Sequence, residues 1–192
     1  MEKNLIKTLK ILKTKKKKVV LCHGVFDLVH LGHIEHFKSA KSYGDYLIVS
    51  LTLDKFIKKG PGRPLFNEQQ RMEYLKQIKI VDQVILSKTE SSIDIINTIK
   101  PDFYVKGPDY KENYKDKTKK IILEKKAVEK NGGKIRFTND ITFSSSNILN
   151  TSNLIFDDKQ RDFINNLKKK FTYNQIEEAL KKFKDLKILI IG

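Results

Sequence analysis

Residues 19–52 read VVLCHGVFDLVHLGHIEHFKSAKSYGDYLIVSLT. VVLC (19–22) is an apolar run of strand length that leads straight to Gly24. In GHIEHFKSAKSYG (32–44), Ile34, Phe37 and Ala40 recur at helical spacing, and Gly44 supplies a stop. YLIVSLT (46–52) is a second apolar run with β-branched residues. Strand, helix and strand within about thirty residues make a βαβ unit, whose crossover is right-handed.

The same alternation continues outward from this unit. NEQQRMEYLKQIK (67–79) predicts a helix, with Asn67 and Gln70 at capping-box spacing and Met72, Leu75 and Ile78 on one face. VDQVILS (81–87) reads as a third strand, and SSIDIINTIK (91–100) as a helix ended by Pro101. DFYVKG (102–107) is a fourth strand, 117–131 a long helix stopped by Gly132 and Gly133, and KIRFT (134–138) a fifth strand. Repeated βα units predict a Rossmann-like, three-layer α/β/α fold with a parallel five-stranded sheet. Ligands on such sheets bind beyond the carboxyl ends of the strands, near the point where strand order reverses.

From about residue 150 the pattern changes to a C-terminal helical extension. DDKQRDFINNLKKKF (157–171) and NQIEEALKKFK (174–184) are amphipathic, with the turn signal Thr172-Tyr173-Asn174 between them, and KILIIG (187–192) is an apolar strand. The expected division is a lysine-rich N-terminal arm or short amphipathic helix (1–16), the α/β domain (17–150), a two-helix connector (151–186) and the first strand of a following domain (187–192).

The chain of 192 residues carries a formal charge of +16, and all but Arg63, Arg71, Arg136 and Arg161 of its 39 basic residues are lysines. A surface of this kind attracts nucleotides, sugar phosphates, nucleic acid or an anionic membrane. The even spread of lysine beside abundant Ile and Asn is equally what a biased genome produces. The lone Cys22 cannot form an internal disulfide. No apolar run approaches the roughly 18 residues that span a bilayer, and a cytoplasmic protein without a membrane partner is the expectation.

All four histidines, His23, His30, His33 and His36, lie at or beside GVFDLVHLGH (24–33). The stretch sits where the first strand becomes a helix, so its backbone N–H groups collect at a helix N-terminus and favour bound phosphate. His30 and His33 are three residues apart, and in a first helical turn both imidazoles can lean toward one anion and gain charge beside a polyphosphate. Gly24 and Gly32 would let a nucleotide approach the backbone. A zinc site from Cys22 and the histidines is disfavoured, because three-residue steps on a helix drift by about 60° and separate His30 from His36. No CxxC or HExxH accompanies them.

GVFDLVHLGH resembles the G-x-F-D-x-x-H-x-G-H signature of the cytidylyltransferase-like nucleotidyltransferases, whose H-x-G-H is kin to that of class I aminoacyl-tRNA synthetases. KKGPGRPLFNEQQRMEYL (58–75), VDQVILS (81–87), VKGPDY (105–110) and FSSSNIL (143–149) follow in the order seen in heptose-phosphate adenylyltransferase domains and, less closely, glycerol-phosphate cytidylyltransferases. The resemblance covers roughly residues 17–150.

It implies attack by a substrate phosphate on the α-phosphorus of a nucleoside triphosphate, with release of pyrophosphate. His30 and His33 would then meet the α and β phosphates, with Lys59 and Arg63 adding catalytic cations from a Gly/Pro loop. Gly24, Val25, Phe26, Asp27, Gly32, Lys106, Gly107, Asp109, Phe143, Ser144, Ser145 and Ser146 would form the nucleotide site. Asp27 more naturally orients the loop or a metal-bound water than touches phosphate, since two anions repel unless Mg²⁺ lies between them. Lys58 and Arg71 would contact the acceptor, with a surface ion pair as the other reading of Arg71. The serines of FSSS would offer donors to the β and γ phosphates at a second helix N-terminus.

TNDITFSSS has no arginine before its serines, unlike the R-T-x-G-I-S-T of the cytidylyltransferases, which favours ATP over CTP. Mg²⁺ is expected with the triphosphate, and a phosphorylated sugar or polyol as acceptor. The resemblance further implies a homodimer and, from KILIIG, a fused sugar kinase domain in a bifunctional enzyme; no nucleic acid partner is expected, because the lysine runs at 15–18 and 168–170 have little Arg or aromatic interleaving. The alternatives are a CTP-dependent glycerol-3-phosphate-type cytidylyltransferase and, from another class, a lysine-rich nucleic-acid-binding module.

Overall fold

A computed structural model of the chain describes residues 2–60, 62–89, 91–108, 110, 119–139 and 156–183. Five strands, β1 (Val19–Gly24), β2 (Tyr46–Thr52), β3 (Gln83–Ser87), β4 (Phe103–Lys106) and β5 (Lys134–Phe137), pair in parallel in the order β3-β2-β1-β4-β5. The chain works outward from β1 to β3, then restarts on the other side of β1 at β4. The reversal point is the gap between the carboxyl ends of β1 and β4, where Cys22 pairs with Val105.

Alternation along the strands builds two cores. Val20, Cys22, Leu47, Val49, Leu51 and Val105 face one side, under α2 (Leu31–Lys41) and α3 (Glu68–Lys76), which contribute Phe37, Ala40, Met72 and Leu75. Val19, Leu21, Ile48, Ile85 and Tyr104 face the other, under α1 (Glu2–Thr14), α4 (Ile93–Ile99) and α5 (Lys119–Lys130). Each fully buried aliphatic side chain stabilises this arrangement by about 1.5–3 kcal/mol before entropy is counted.

Local chemistry sets the helix ends. At α3 the Asn67 side chain accepts from the Gln70 N–H at 2.9 Å, and Gln70 returns the bond to the Asn67 N–H at 3.2 Å. α4 stops because Lys100, placed before Pro101, leaves the helical region for φ +51°. Gly133 opens β5 because a Cβ there would lie 2.2 Å from the Pro101 carbonyl. The N-terminal lysine-rich segment forms a helix, and its stripe Leu5, Leu9 and Leu12 packs on the second core, with Leu5 only 4% exposed.

The chain divides into two compact units, Met1–Ser145 and Ser146–Gly192. The second holds α6 (Asp158–Lys170) and α7 (Tyr173–Lys182), each opened by a capping box, Asp157 with Gln160 and Thr172 with Gln175. Thr172, expected in a turn, is therefore the cap of α7. The KILIIG strand lies outside the described residues. Among the described residues no helix is long and apolar enough to cross a membrane.

Candidate active site

β1 delivers the chain to the reversal point, and α2 starts there with His30 as its extended N-cap (φ −138°, ψ 173°). The His30 and His33 rings stack with centroids 4.0 Å apart and planes 26° from parallel, so both face one region. The His30 backbone N–H donates to His33 Nδ1 at 3.4 Å. A nitrogen that accepts carries no hydrogen, so the neutral ring bears its proton on Nε2 and can donate one bond from there. Burial first, then the neighbouring His30, His36 and Lys59, pulls the His33 pKa down to about 3. Without a ligand His33 is therefore a neutral donor, and the charge expected beside a polyphosphate has to be brought by that ligand.

Phe26 holds this turn from below, its ring edge-on to His33 at 5.3 Å between centroids. It is one of the few non-glycine residues at positive φ (+49°), a conformation that needs outside support. The Tyr74 hydroxyl supplies it, lying 2.8 Å from the Asp27 carbonyl and also bonding the Phe26 carbonyl. Gly24 also serves the packing of this turn. A Cβ there would lie 3.0 Å from the Phe26 ring, so the missing side chain makes room for Phe26. Gly32 is buried in the first turn of α2.

Asp27 is buried beneath the loop that carries the predicted cations. Its Oδ2 accepts from Arg63 Nε at 2.7 Å, and its Oδ1 accepts from the backbone N–H groups of Leu65 and Phe66 at 2.7 and 3.1 Å. With both oxygens engaged in this way, Asp27 orients the loop. The Arg63 and Asp27 side chains are only 2% and 1% exposed. Arg63 Nη2 is buried with no hydrogen-bond partner among the described residues, an unmatched donor beside the histidines' loop. Lys58 and Lys59 are exposed at the rim. Partial desolvation and the Arg63 cation lower the Lys59 pKa, while the charge of Lys59 in turn acts on His33.

Arg71 departs from its sequence readings in place rather than in pairing. It does form an ion pair, with Asp54, but is itself fully buried, neither at the surface nor open to an acceptor. Its Nε donates to the Phe66 carbonyl at 3.0 Å and its Nη2 to the Thr52 carbonyl at 2.9 Å, while Nη1 takes the Val25 carbonyl and Nη2 also meets the Asp54 carboxylate. One guanidinium thus ties the ends of β1 and β2 to the start of α3. Val25 enters the site through this carbonyl.

At the end of β4, Lys106 Nζ lies 3.3 Å from Glu124 Oε2 on α5 and 4.5 Å from the centre of the Tyr110 ring. Burial opposes its charge, but Tyr104, Glu124 and Tyr110 outweigh that and raise its pKa. The ammonium is turned to Glu124. Ser92 Oγ and the Tyr104 hydroxyl, at 3.3 Å, complete the shell around that carboxylate. A Cβ on Gly107 would meet nothing within 4 Å. His23 bonds Ser50 Oγ at 3.1 Å, and burial, followed by the Lys106 charge, pulls its pKa down to about 3. Asp109 and Phe143, Ser144, Ser145 and Ser146 lie outside the described residues.

Sequence reading missed Tyr74, Glu124 and Ser92. Tyr74 had a usable signal, three residues beyond Arg71 on one helix face. Glu124 lies in a lysine-rich helix where an ordinary surface pair is the default. Cys22 is buried in the first core, and no group of three or more His, Cys, Asp or Glu among the described residues could hold a metal ion.

Residues 21–184 match the cytidylyltransferase-like family. The chain belongs to that family. A bifunctional protein HldE from Geobacter metallireducens is 35% identical over 143 residues, 71% of this chain and 27% of that protein. One from Campylobacter jejuni subsp. doylei is 43% identical over 106 residues, 54% of this chain and 23% of that one. The chain thus spans about a quarter of the length of the curated relatives it matches. The crystal structure of a lipopolysaccharide core biosynthesis protein from Thermoplasma volcanium GSS1 shares 26% identity and a TM-score of 0.53, covering 67% of this chain and 99% of that one.

In this cytidylyltransferase-like protein, the paired histidines, the Asp27–Arg63 latch and the Arg71 tie all belong to the carboxyl-end side of β1 and β2, next to the sheet's reversal point. A helix N-terminus, two stacked imidazoles and a guanidinium with an unmatched N–H make a site for a polyanion rather than for an apolar ligand.

Proposed function

We propose that the chain transfers a nucleoside monophosphate from a nucleoside triphosphate to a sugar phosphate or polyol phosphate. An oxygen of the acceptor phosphate forms the new bond to the α-phosphorus. The bond from that phosphorus to the bridging β oxygen breaks, and pyrophosphate leaves with the electron pair. No proton need move, because both reacting groups are already ionised at neutral pH. The protein's task is to hold two polyanions together and to stabilise charge on the leaving group.

The observation that carries the proposal is the stacked His30–His33 pair at the head of α2, with its tautomer set by the His30 N–H. His33 Nε2–H donates to the phosphates without needing prior protonation, and Arg63 Nη2 provides a preplaced donor that a phosphate oxygen would satisfy. Lys58 and Lys59 stand at the rim, where they attract the incoming acceptor. Mg²⁺ would arrive with the triphosphate as part of the substrate, its charge offset by the phosphates. ATP is the favoured donor, on the absence of an arginine before Ser144. A cytoplasmic homodimer is the setting proposed for it.

The test is pyrophosphate release measured over a panel of ATP, CTP, GTP and UTP against heptose 1-phosphate, glycerol 3-phosphate and other polyol phosphates. Turnover with ATP and one acceptor is expected. Turnover with CTP and glycerol 3-phosphate alone would replace ATP by CTP. No release from any pair, together with salt-sensitive retention on DNA, would overturn the proposal in favour of nucleic-acid binding.

A further inference from the structure

His36 lies one turn beyond His33 and takes no part in the chemistry above. Its Nδ1 is 3.1 Å from Thr138 Oγ1. Thr138 is a fixed point: it is 2% exposed, and its N–H donates to the Lys106 carbonyl at 3.0 Å, continuing the β4–β5 ladder by one bond. α2 otherwise rests Phe37 and Ala40 on the core beneath β1 and β2. The His36 bond therefore reaches from that side of the reversal point to the other.

The bond is also mechanically linked to the phosphate-facing histidine. The His36 ring touches Phe37 (5.8 Å between centroids), Phe37 touches Phe26 (5.3 Å), and Phe26 meets His33 edge-on (5.3 Å). Close-packed rings pass on small displacements, so the bond bears on how well His33 is placed to meet a bound phosphate.

We infer that His36 is a positioning residue that, through Thr138, holds the His33-bearing helix in register with the carboxyl ends of β4 and β5, where Thr138 bonds the Lys106 carbonyl. This rests on the proposed triphosphate site, because it assigns His36 to the alignment of His33 with the Lys106 side of the reversal point. Either tautomer of His36 can bond a hydroxyl, so a side chain able to donate or accept at the same place should substitute for it.

The experiment compares His36→Ala, Thr138→Val, the double variant and His36→Gln, with pyrophosphate release measured as MgATP is varied and MgATP binding followed by calorimetry. Each of the first two should raise the KM and the calorimetric Kd for MgATP about three- to tenfold, the worth of one neutral hydrogen bond, with kcat within about twofold of wild type. The double variant should be no worse than the poorer single, as for two groups that act only through each other. His36→Gln should keep most of the wild-type affinity, and thermal midpoints should stay together. Unchanged affinity in both singles, additive losses in the double, or a Gln variant as poor as Ala would overturn the inference. Wild-type protein that neither binds MgATP nor releases pyrophosphate would instead overturn the proposed function, and the inference with it.

Discussion

The two ends of the sheet carry ion pairs of opposite character. At the amino ends of the strands, Lys17–Asp45, Lys18–Asp102 and Lys41–Asp82 sit in contact with solvent, their side chains between 29% and 58% exposed. At the carboxyl ends, Asp27–Arg63 and Lys106–Glu124 are no more than 11% exposed, and Arg71 is completely enclosed. Solvated pairs contribute little to stability and tolerate replacement. Buried pairs carry a desolvation cost that a hydrophobic substitute would avoid, so their concentration at one end points to geometry held for a purpose. The difference separates a scaffold end from a working end in one sheet.

The largest expected effect tests that separation directly. Removing a preplaced donor that meets developing charge costs up to about 10³-fold in turnover. His30→Ala and His33→Ala should each lower pyrophosphate release on that scale while leaving the circular dichroism spectrum and unfolding midpoint near wild type. Asp45→Asn, at the other end, should leave turnover unchanged. Near-normal activity in both histidine variants would break the comparison, since the buried end would then be merely structural.

How much of this was legible in sequence follows from the range of each interaction. Strands β1 to β5 and the α3 cap were readable because they depend on neighbours within one element: VVLC and YLIVSLT are continuous apolar runs, and Asn67 with Gln70 are three residues apart. The His30–His33 pair was readable for the same reason. Arg71 was not, because the Val25, Thr52 and Phe66 carbonyls it binds meet only after β1, β2 and α3 have packed. The packing task of Gly24 was hidden because the ring that fills its Cβ direction comes from Phe26, placed there by a positive φ that Tyr74 supports. Glu124 was invisible because its partners Ser92, Tyr104 and Lys106 come from two distant segments.

The next effect sharpens the comparison in stability rather than rate. Asp27→Asn removes the counter-charge of Arg63 while keeping the side chain's shape, and leaves a guanidinium buried without its anion. Breaking one partner of such a pair costs about 3 kcal/mol or more, readable as a lower urea midpoint at constant slope. Lys17→Ala, which breaks an exposed pair, should move the midpoint by a small fraction of that. Equal shifts in the two variants would mean that the Asp27–Arg63 latch opens to solvent in solution.

The last effect lies in acid sensitivity, where no single substitution is needed and the two ends differ in window rather than direction. His23 and His33 are held neutral by burial, with pKa values of about 3 against an ordinary 6.5. Below about pH 6.5 the unfolded chain takes up their protons and the folded chain does not, so stability falls by up to about 1.4 kcal/mol per pH unit for each until both states are protonated near pH 3. Asp45 works lower on the scale. The Lys18 backbone N–H and the Lys17 side chain hold its pKa below the usual carboxylate value. Its contribution is therefore complete above the ordinary carboxylate pKa of about 3.9 and disappears only as pH falls through the lowered one. Urea midpoints at pH 7, 6 and 5 should accordingly decline in wild type, decline less steeply in His33→Gln, and decline as in wild type in Asp45→Asn. A midpoint that stays level from pH 7 to 5 would show that the histidines at the carboxyl end are already solvated, and that the buried end is open before any ligand arrives.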